Sequence, residues 1–189
     1  MTSLILASTS PYRKVLLQRL QLPFQQVPPL FDEAEPGVMP AETLVLHNTT
    51  GKADSVLTRY PDAKVIASDQ LAVCGDVVLG KPGTKEQACA QLALLSGKSV
   101  TFLTGLALFS QRERRSEVIP FQVFFRELSK DEIMNYVEQE NPVDCAGSFK
   151  SEGLGIALFE RMQGDDPTAL IGLPLIRLSQ WLKPLEKEA

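Results

Sequence analysis

Four stretches of this sequence carry side chains whose types and spacing could act on a phosphorylated ligand. The first, Ser8-Thr9-Ser10-Pro11-Tyr12-Arg13, lies between a short apolar run and an amphipathic one. Serine followed by proline begins a helix, with Ser10 at the N-cap and Pro11 at the first helical position. A helix start offers unpaired N–H groups and a positive dipole end to an anion. Ser8 and Ser10 add hydroxyl donors, and Arg13 adds a bidentate fork suited to phosphate. The second stretch is the acidic pair Asp32-Glu33, whose carboxylates could hold Mg²⁺ beside substrate phosphates. The third is Ser68-Asp69-Gln70 after an apolar strand, followed by Gly80-Lys81-Pro82. An Asp at a strand's carboxyl end could orient and deprotonate a water, or bind metal, and a Lys in a rigid Gly/Pro loop can reach a phosphate. The fourth is Ala146-Gly147-Ser148-Phe149-Lys150-Ser151-Glu152-Gly153, where glycines flanking polar residues suit close backbone approach to a ligand. Each stretch has a plain alternative: a capped helix with a surface Arg, a solvated acidic loop, loop polarity, an ordinary turn.

The elements that must position these residues can be read from periodicity. Leu4 to Ala7 is a short buried strand, followed by a helix with an apolar stripe of Val15, Leu16, Leu17 and Leu20. A second strand is expected within Phe24–Pro28 and a loop over 31–40. A helix follows from Ala41 to Leu57, in which Gly51 costs about 1 kcal/mol against Ala. Lys64 to Ala67 is a strand leading into Ser68-Asp69-Gln70, and a strand or hairpin covers 71–79 with its turn at Gly75-Asp76. Thr84 with Gln87, and Ser129 with Glu132, have capping-box spacing for two further helices. Ser99–Phe109 and Glu117–Phe125 read as long strands joined by the charged segment 111–116, and Gly153–Phe159 reads as another strand. A last helix carries Leu175, Ile176, Leu178 and Leu182, and the tail 186–189 is expected to fray. The pattern predicts an α/β protein with a mixed, twisted central sheet and helices on its faces. The length suits a single domain over residues 1–189, built as two lobes around a substrate cleft.

Several chemistries are excluded or weakened. The net charge of −4 argues against a dominant nucleic-acid or anionic-membrane surface. Attraction for a polyanion must therefore come from a few local cations. No run of eighteen apolar residues exists, and the amino terminus lacks the basic start of a signal peptide. The cysteines (Cys74, Cys89, Cys145) are three, widely spaced and without metal-ligand spacing, which suits a reducing cytoplasm. His47 is the lone histidine, and no G-x-S-x-G elbow accompanies it. Gly97-Lys98-Ser99 ends like a P-loop, but Leu92 stands where the first glycine belongs.

The surviving segments resemble the Maf family of nucleoside triphosphate pyrophosphatases. The resemblance rests on Leu6 through Arg13, Asp32-Glu33, Lys52-Ala53, Ser68-Asp69-Gln70, Gly80-Lys81-Pro82, Thr104-Gly105, Ala146 through Gly153, and Ile171-Gly172-Leu173-Pro174. These occur in the family's order over nearly the whole chain. Ser-Asp-Gln at 68–70 with Ser-Phe-Lys-Ser-Glu-Gly at 148–153 is similar to the branch acting on 7-methyl-GTP. The dTTP/UTP branch has instead Ala-Asp-Thr, and Gln at the position of Glu152. The resemblance implies a Maf/ITPase-like fold, often homodimeric, that cleaves its nucleotide to a monophosphate and pyrophosphate with a divalent cation, Mg²⁺ or Mn²⁺. By similarity, Asp69 is the proton acceptor for water attacking the α-phosphorus. Ser8, Ser10, Arg13, Lys52 and Lys81 hold the triphosphate, Glu33 and Asp69 are candidates for the metal, and Tyr12, Gln70 and Glu152 choose the base. One segment departs from the pattern. Where the family usually has Arg, Leu-Ala and a charged stretch before Lys52, this chain has His47-Asn48-Thr49-Thr50-Gly51.

The chemistry of a methylated guanine agrees with that branch. A carboxylate at Glu152 can accept from both N1–H and N2–H of guanine. Methylation at N7 makes the base cationic, so a carboxylate is also favoured by charge, and stacking on Tyr12 adds about 0.5–2 kcal/mol. Gln70 could donate to O6. A polar edge left unpaired by the wrong base costs about 1–3 kcal/mol per group. The readings in competition are the same reaction on dTTP, UTP or other modified nucleotides, and a non-catalytic nucleotide-binding regulator linked to cell division.

Overall fold

In a computed structural model that describes residues 3–183, the chain is mixed α/β. The expected tail at 186–189 lies outside the described residues. A seven-stranded sheet has the order β2-β1-β3-β5-β6-β7, with β4 paired to β3. The strands are β1 (Leu4–Ala7), β2 (Gln25–Val27), β3 (Lys64–Cys74), β4 (Val77–Leu79), β5 (Ser99–Phe109), β6 (Arg114–Phe125) and β7 (Phe159–Gln163). The helices are α1 (Pro11–Gln18), α2 (Ala41–Leu57), α3 (Lys85–Leu95), α4 (Lys130–Glu140), α5 (Pro167–Ile171) and α6 (Leu175–Leu182).

The chain packs as two compact units. The first holds the described residues up to Gln70, Leu103–Ile119 and those from Asp166 onward; the second holds Leu71–Phe102 and Pro120–Asp165. In the first, β1 pairs in parallel with both β2 and β3. Ala53 and Val56 of α2 pack on Ile5, Ala7, Val65, Ala67, Ala107 and Phe109 in a core of fully buried side chains. Small residues let α2 come close: a Cβ on Gly105 would stand 2.1 Å from the Thr49 hydroxyl oxygen. In the second unit the core is aromatic. Phe149 meets Phe102, Phe125 and Phe159 edge-on, with ring centroids 4.9–5.4 Å apart.

Local signals gave most element ends. Ser10 accepts from Arg13 N–H and Pro11 opens α1. The Ser129–Glu132 capping box forms in both directions, whereas at Thr84 the cap from Gln87 N–H forms alone. Four expectations need correction. Val15 is exposed, so the buried stripe of α1 is Leu16 and Leu17. The charged segment 111–116 is strand in its second half: a tight turn closes with Ser110 N–H on Glu113 O, and β6 starts at Arg114. The start is fixed because Arg114 pairs with Asp54 at 2.7 Å and lies over the Phe109 ring. The run Gly153–Phe159 is not strand until Phe159; Leu154–Leu158 is a 3₁₀ turn. Gly155 permits it, since a Cβ there would meet the Lys150 carbonyl oxygen at 2.4 Å. Helix α5 was not foreseen, although Asp166 caps it, Pro167 opens it and Gly172 closes it with φ +113°.

Candidate active site

Asp69 was expected at the carboxyl end of a strand. It lies instead inside β3, an 11-residue strand, and the end that matters is that of its neighbour. The register with β1 stops at Ala7↔Ala67, and the register with β4 begins at Ala72↔Leu79. Residues 68–71 fall between these two registers, so Ser68, Asp69 and Gln70 lie where β3 changes partner.

Around Asp69 the first unit gathers a cluster of opposite charges. Lys52, projected from α2 and almost fully buried, places Nζ 2.7 Å from Asp69 Oδ1 and 2.8 Å from Glu33 Oε1. Asp69 is buried with it, and Glu33 is half-exposed. Arg13 completes the group. Burial lowers its guanidinium from its ordinary value, and the nearby charges of Asp69 and Glu33 oppose that shift; an Arg stays protonated through such a shift. Its Nε donates to Gly172 O at 2.9 Å, and the outer guanidinium nitrogens form no hydrogen bond among the described residues. They can therefore fork onto an anion.

The turn before α1 is already half-committed. Ser8 N–H donates to Leu6 O and Val27 O, Ser10 N–H to Ser8 Oγ at 3.1 Å, and Arg13 N–H to Ser10 Oγ at 3.3 Å. The expected supply of unpaired backbone donors is thus smaller than the motif implies. Both serine oxygens accept from the backbone, which leaves each hydroxyl hydrogen as a donor, with Thr9 N–H beside them. Tyr12 is half-buried in the first turn of α1.

Gln70 is fixed more tightly than its sequence suggested. Its amide nitrogen donates to Ala169 O at 2.8 Å, Leu170 O at 3.2 Å and Thr104 Oγ1 at 3.0 Å. Two backbone carbonyls identify that atom as nitrogen rather than oxygen. With both hydrogens engaged, Gln70 cannot also donate to a guanine O6, and it is the acceptor Oε1 that remains. The expected donor role is corrected accordingly. Thr104, fully buried, itself donates to Ala169 O at 2.9 Å.

Sequence reasoning named Ser68, Gly105 and Gly172 only within matching segments, gave them no supporting task, and passed over Asp166. Gly172 O receives Arg13 Nε and lies 2.9 Å from Ser68 Oγ, whose hydroxyl is also 2.6 Å from Gly105 O. Buried Asp166 accepts from Thr168 N–H at 3.0 Å and Ile176 N–H at 2.7 Å, anchoring the starts of α5 and α6 on either side of Gly172. The pair Asp166-Pro167 with a glycine five residues past the proline was a usable signal for that short helix.

In the second unit, Lys81 is exposed and makes no side-chain bond among the described residues. Glu152 is exposed too, touched by Ser151 Oγ at 3.3 Å. Their loops are tied from behind. Gln91 donates to Gly80 O at 3.2 Å and its carbonyl oxygen receives Ser148 Oγ, while Gly83 N–H donates to Val143 O at 2.9 Å.

Among the described residues no three carboxylate, histidine or cysteine side chains cluster as metal ligands. Glu33 and Asp69 do converge on one point, where Lys52 Nζ lies. Lys52 Nζ already occupies that point, so a Mg²⁺ or Mn²⁺ ion arriving with a nucleotide would be met by the carboxylate oxygens that Lys52 does not take, Glu33 Oε2 and Asp69 Oδ2, with substrate phosphate and water filling its coordination.

Residues 3–185 match the family described as Maf-like protein. The chain belongs to the Maf family. It is 54% identical over 181 residues to a 7-methyl-GTP pyrophosphatase of Alkalilimnicola ehrlichii, covering 95% of this chain and 91% of the relative. It is 53% identical over 184 residues to a 7-methyl-GTP pyrophosphatase of Pseudomonas aeruginosa, covering 96% of each. The family resemblance read from the sequence of this Maf protein is thereby borne out. The fold matches the expected mixed α/β sheet as well. No helix among the described residues is long and apolar enough to cross a membrane.

Proposed function

We propose that this protein is a single-domain nucleoside triphosphate pyrophosphatase that hydrolyses 7-methyl-GTP to 7-methyl-GMP and pyrophosphate. The observation that carries the reaction is the buried Lys52 held between Asp69 and Glu33 with Arg13 alongside. The choice of base leans on the two relatives, named for 7-methyl-GTP and matching nearly the full chain.

In this reading a water attacks the α-phosphorus, Asp69 accepts its proton, and the bond to the bridging oxygen breaks so that pyrophosphate leaves. Such a displacement is positioning plus charge stabilisation. Arg13, Lys52, Lys81 and the hydroxyls of Ser8 and Ser10 bind the triphosphate. Glu33 keeps Lys52 directed at Asp69. Glu33 and Asp69 would hold a divalent cation, whose chemistry is neutralisation of phosphate charge. Tyr12 stacks on the base, Glu152 accepts from its Watson–Crick edge, and Gln70 offers an acceptor oxygen fixed by Thr104. The protein works in the cytoplasm, where its three free cysteines stay reduced, and as a homodimer, which sedimentation of the pure protein checks.

The test is a substrate panel of 7-methyl-GTP, GTP, dTTP and UTP at fixed Mg²⁺, with monophosphate and pyrophosphate both quantified. Equimolar release, fastest with 7-methyl-GTP, is expected. A preference for dTTP or UTP would move the protein to the other branch. Nucleotide binding without pyrophosphate release would make it a regulator.

A further inference from the structure

The departure at His47–Gly51 was expected to weaken α2 beneath Lys52. Nearly every residue of it is instead in use. Asn48 grips the backbone of Ala34 in both directions, Ala34 N–H donating to Oδ1 at 2.9 Å and Nδ2 donating to Ala34 O at 3.3 Å. Phe31 lies on Gly51 so closely that a Cβ there would fall 2.1 Å from the ring atom Cε2. The same ring meets His47 with centroids 5.7 Å apart. One turn on, Ser55 Oγ accepts from Leu30 N–H at 3.2 Å. Positions 47, 51 and 55 follow one stripe of the helix at i, i+4 spacing, and 48 and 52 follow the next. The first stripe holds Leu30 and Phe31, and the second holds Ala34 through Asn48 and Glu33 through Lys52.

We propose that Phe31, His47, Asn48 and Gly51 form a clasp that fixes the loop 31–34 on α2 and thereby holds Glu33 against Lys52. They are positioning residues for the hydrolysis, and the proposal rests on the role given above to Glu33. An acidic loop of exposed residues has no core of its own to order it. Without an anchor on each side, Glu33 would leave Lys52 with one carboxylate partner, and Nζ would be free to swing from Asp69. Glycine at 51 is then a fit to the Phe31 ring, whose packing offsets its poor helix propensity.

The clasp is tested with Gly51→Ala, Phe31→Val, Asn48→Ala and Glu33→Gln in the full chain. Gly51→Ala displaces the ring and lowers kcat by about 10–100-fold with KM little changed, as a misplaced catalytic group does. Phe31→Val in the Gly51→Ala background removes the overlap and restores part of the loss. In the Glu33→Gln background, Gly51→Ala lowers kcat no further. Additive losses, or a Gly51→Ala enzyme with wild-type kcat, overturn the proposal. Amide exchange gives a readout apart from activity: Ala34 N–H is protected in the wild type and exchanges fast in Asn48→Ala. A fast-exchanging Ala34 in the wild type refutes the clasp while leaving the role of Glu33 standing. Wild-type kcat in Glu33→Gln removes that role, and the reason for a clasp with it, even where Ala34 is protected.

Discussion

Asp69 and Lys52 in the first unit are buried, paired and surrounded by fixed partners, whereas Lys81 and Glu152 in the second are exposed and nearly partnerless. On the proposed function the contrast separates two tasks. Groups that act on the attacking water must be aligned before substrate arrives, because preorganised charge costs no reorganisation at the moment of reaction. Groups that meet the substrate's far end or its base can wait in solvent and gain their partners on binding. Substitutions in the two places should therefore differ in kind. In the first, activity and stability fall together; in the second, activity or selectivity falls alone.

Asp69 gives the largest expected effect. Asp69→Asn removes the proton acceptor and should lower kcat/KM by about 10²–10⁴-fold. It also leaves Lys52 buried with Glu33 alone, so thermal unfolding should shift downward, since breaking a buried pair is costly. Near-normal turnover would refute the proton-acceptor assignment. Lys81→Ala comes next and sharpens the comparison. It should lower kcat/KM by about 10²-fold, the scale of losing one charge-stabilising donor, with the unfolding midpoint unchanged because the side chain is exposed and makes no hydrogen bond or ion pair among the described residues. A large loss of stability there would mean that the two regions are not distinct in this way.

How much of this the sequence revealed depends on how local each cause is. The N-caps at Ser10 and Ser129 act over a few residues, so their signals are short and were read; the glycine closing α5 is as local a signal and was missed. The start of β6 was misjudged because Arg114 is held by Asp54, 60 positions away. The residues proposed to react were legible as types in a motif. Their support was not. Gly172 O beneath Arg13 is 159 positions away, and the fit of Gly51 to Phe31 depends on a loop folding back over a helix. Read linearly, Gly51 is a defect; in three dimensions it is a contact. Gln70 shows the same limit: its type suggested a donor, and only the carbonyls of Ala169 and Leu170 decide which end of the amide is spare.

A smaller effect is expected at Glu152. Glu152→Gln replaces an acceptor pair by one acceptor and one donor, so one guanine N–H would lose its partner. The preference for 7-methyl-GTP over UTP should narrow by about tenfold, with kcat on UTP and the unfolding midpoint little changed. An unchanged preference would remove Glu152 from base selection.

The smallest effect should come from Thr104, and it tests whether selectivity has a preorganised part too. Thr104 lies in the first unit, fully buried, and links Gln70 Nε2 to Ala169 O. Thr104→Val keeps the shape and removes the hydroxyl. Gln70 retains two carbonyl acceptors, so its amide stays satisfied but less tightly aimed. The loss of one internal hydrogen bond should cost about 1 kcal/mol of stability and a few-fold in preference for 7-methyl-GTP over UTP. If selectivity is untouched while stability falls, Gln70 Oε1 does not read the base, and the task of selection belongs to the exposed residues. If both fall, a buried residue with no reach to the substrate shapes which base is accepted, and the division between a preorganised reaction centre and an adaptable recognition surface runs through Gln70 itself.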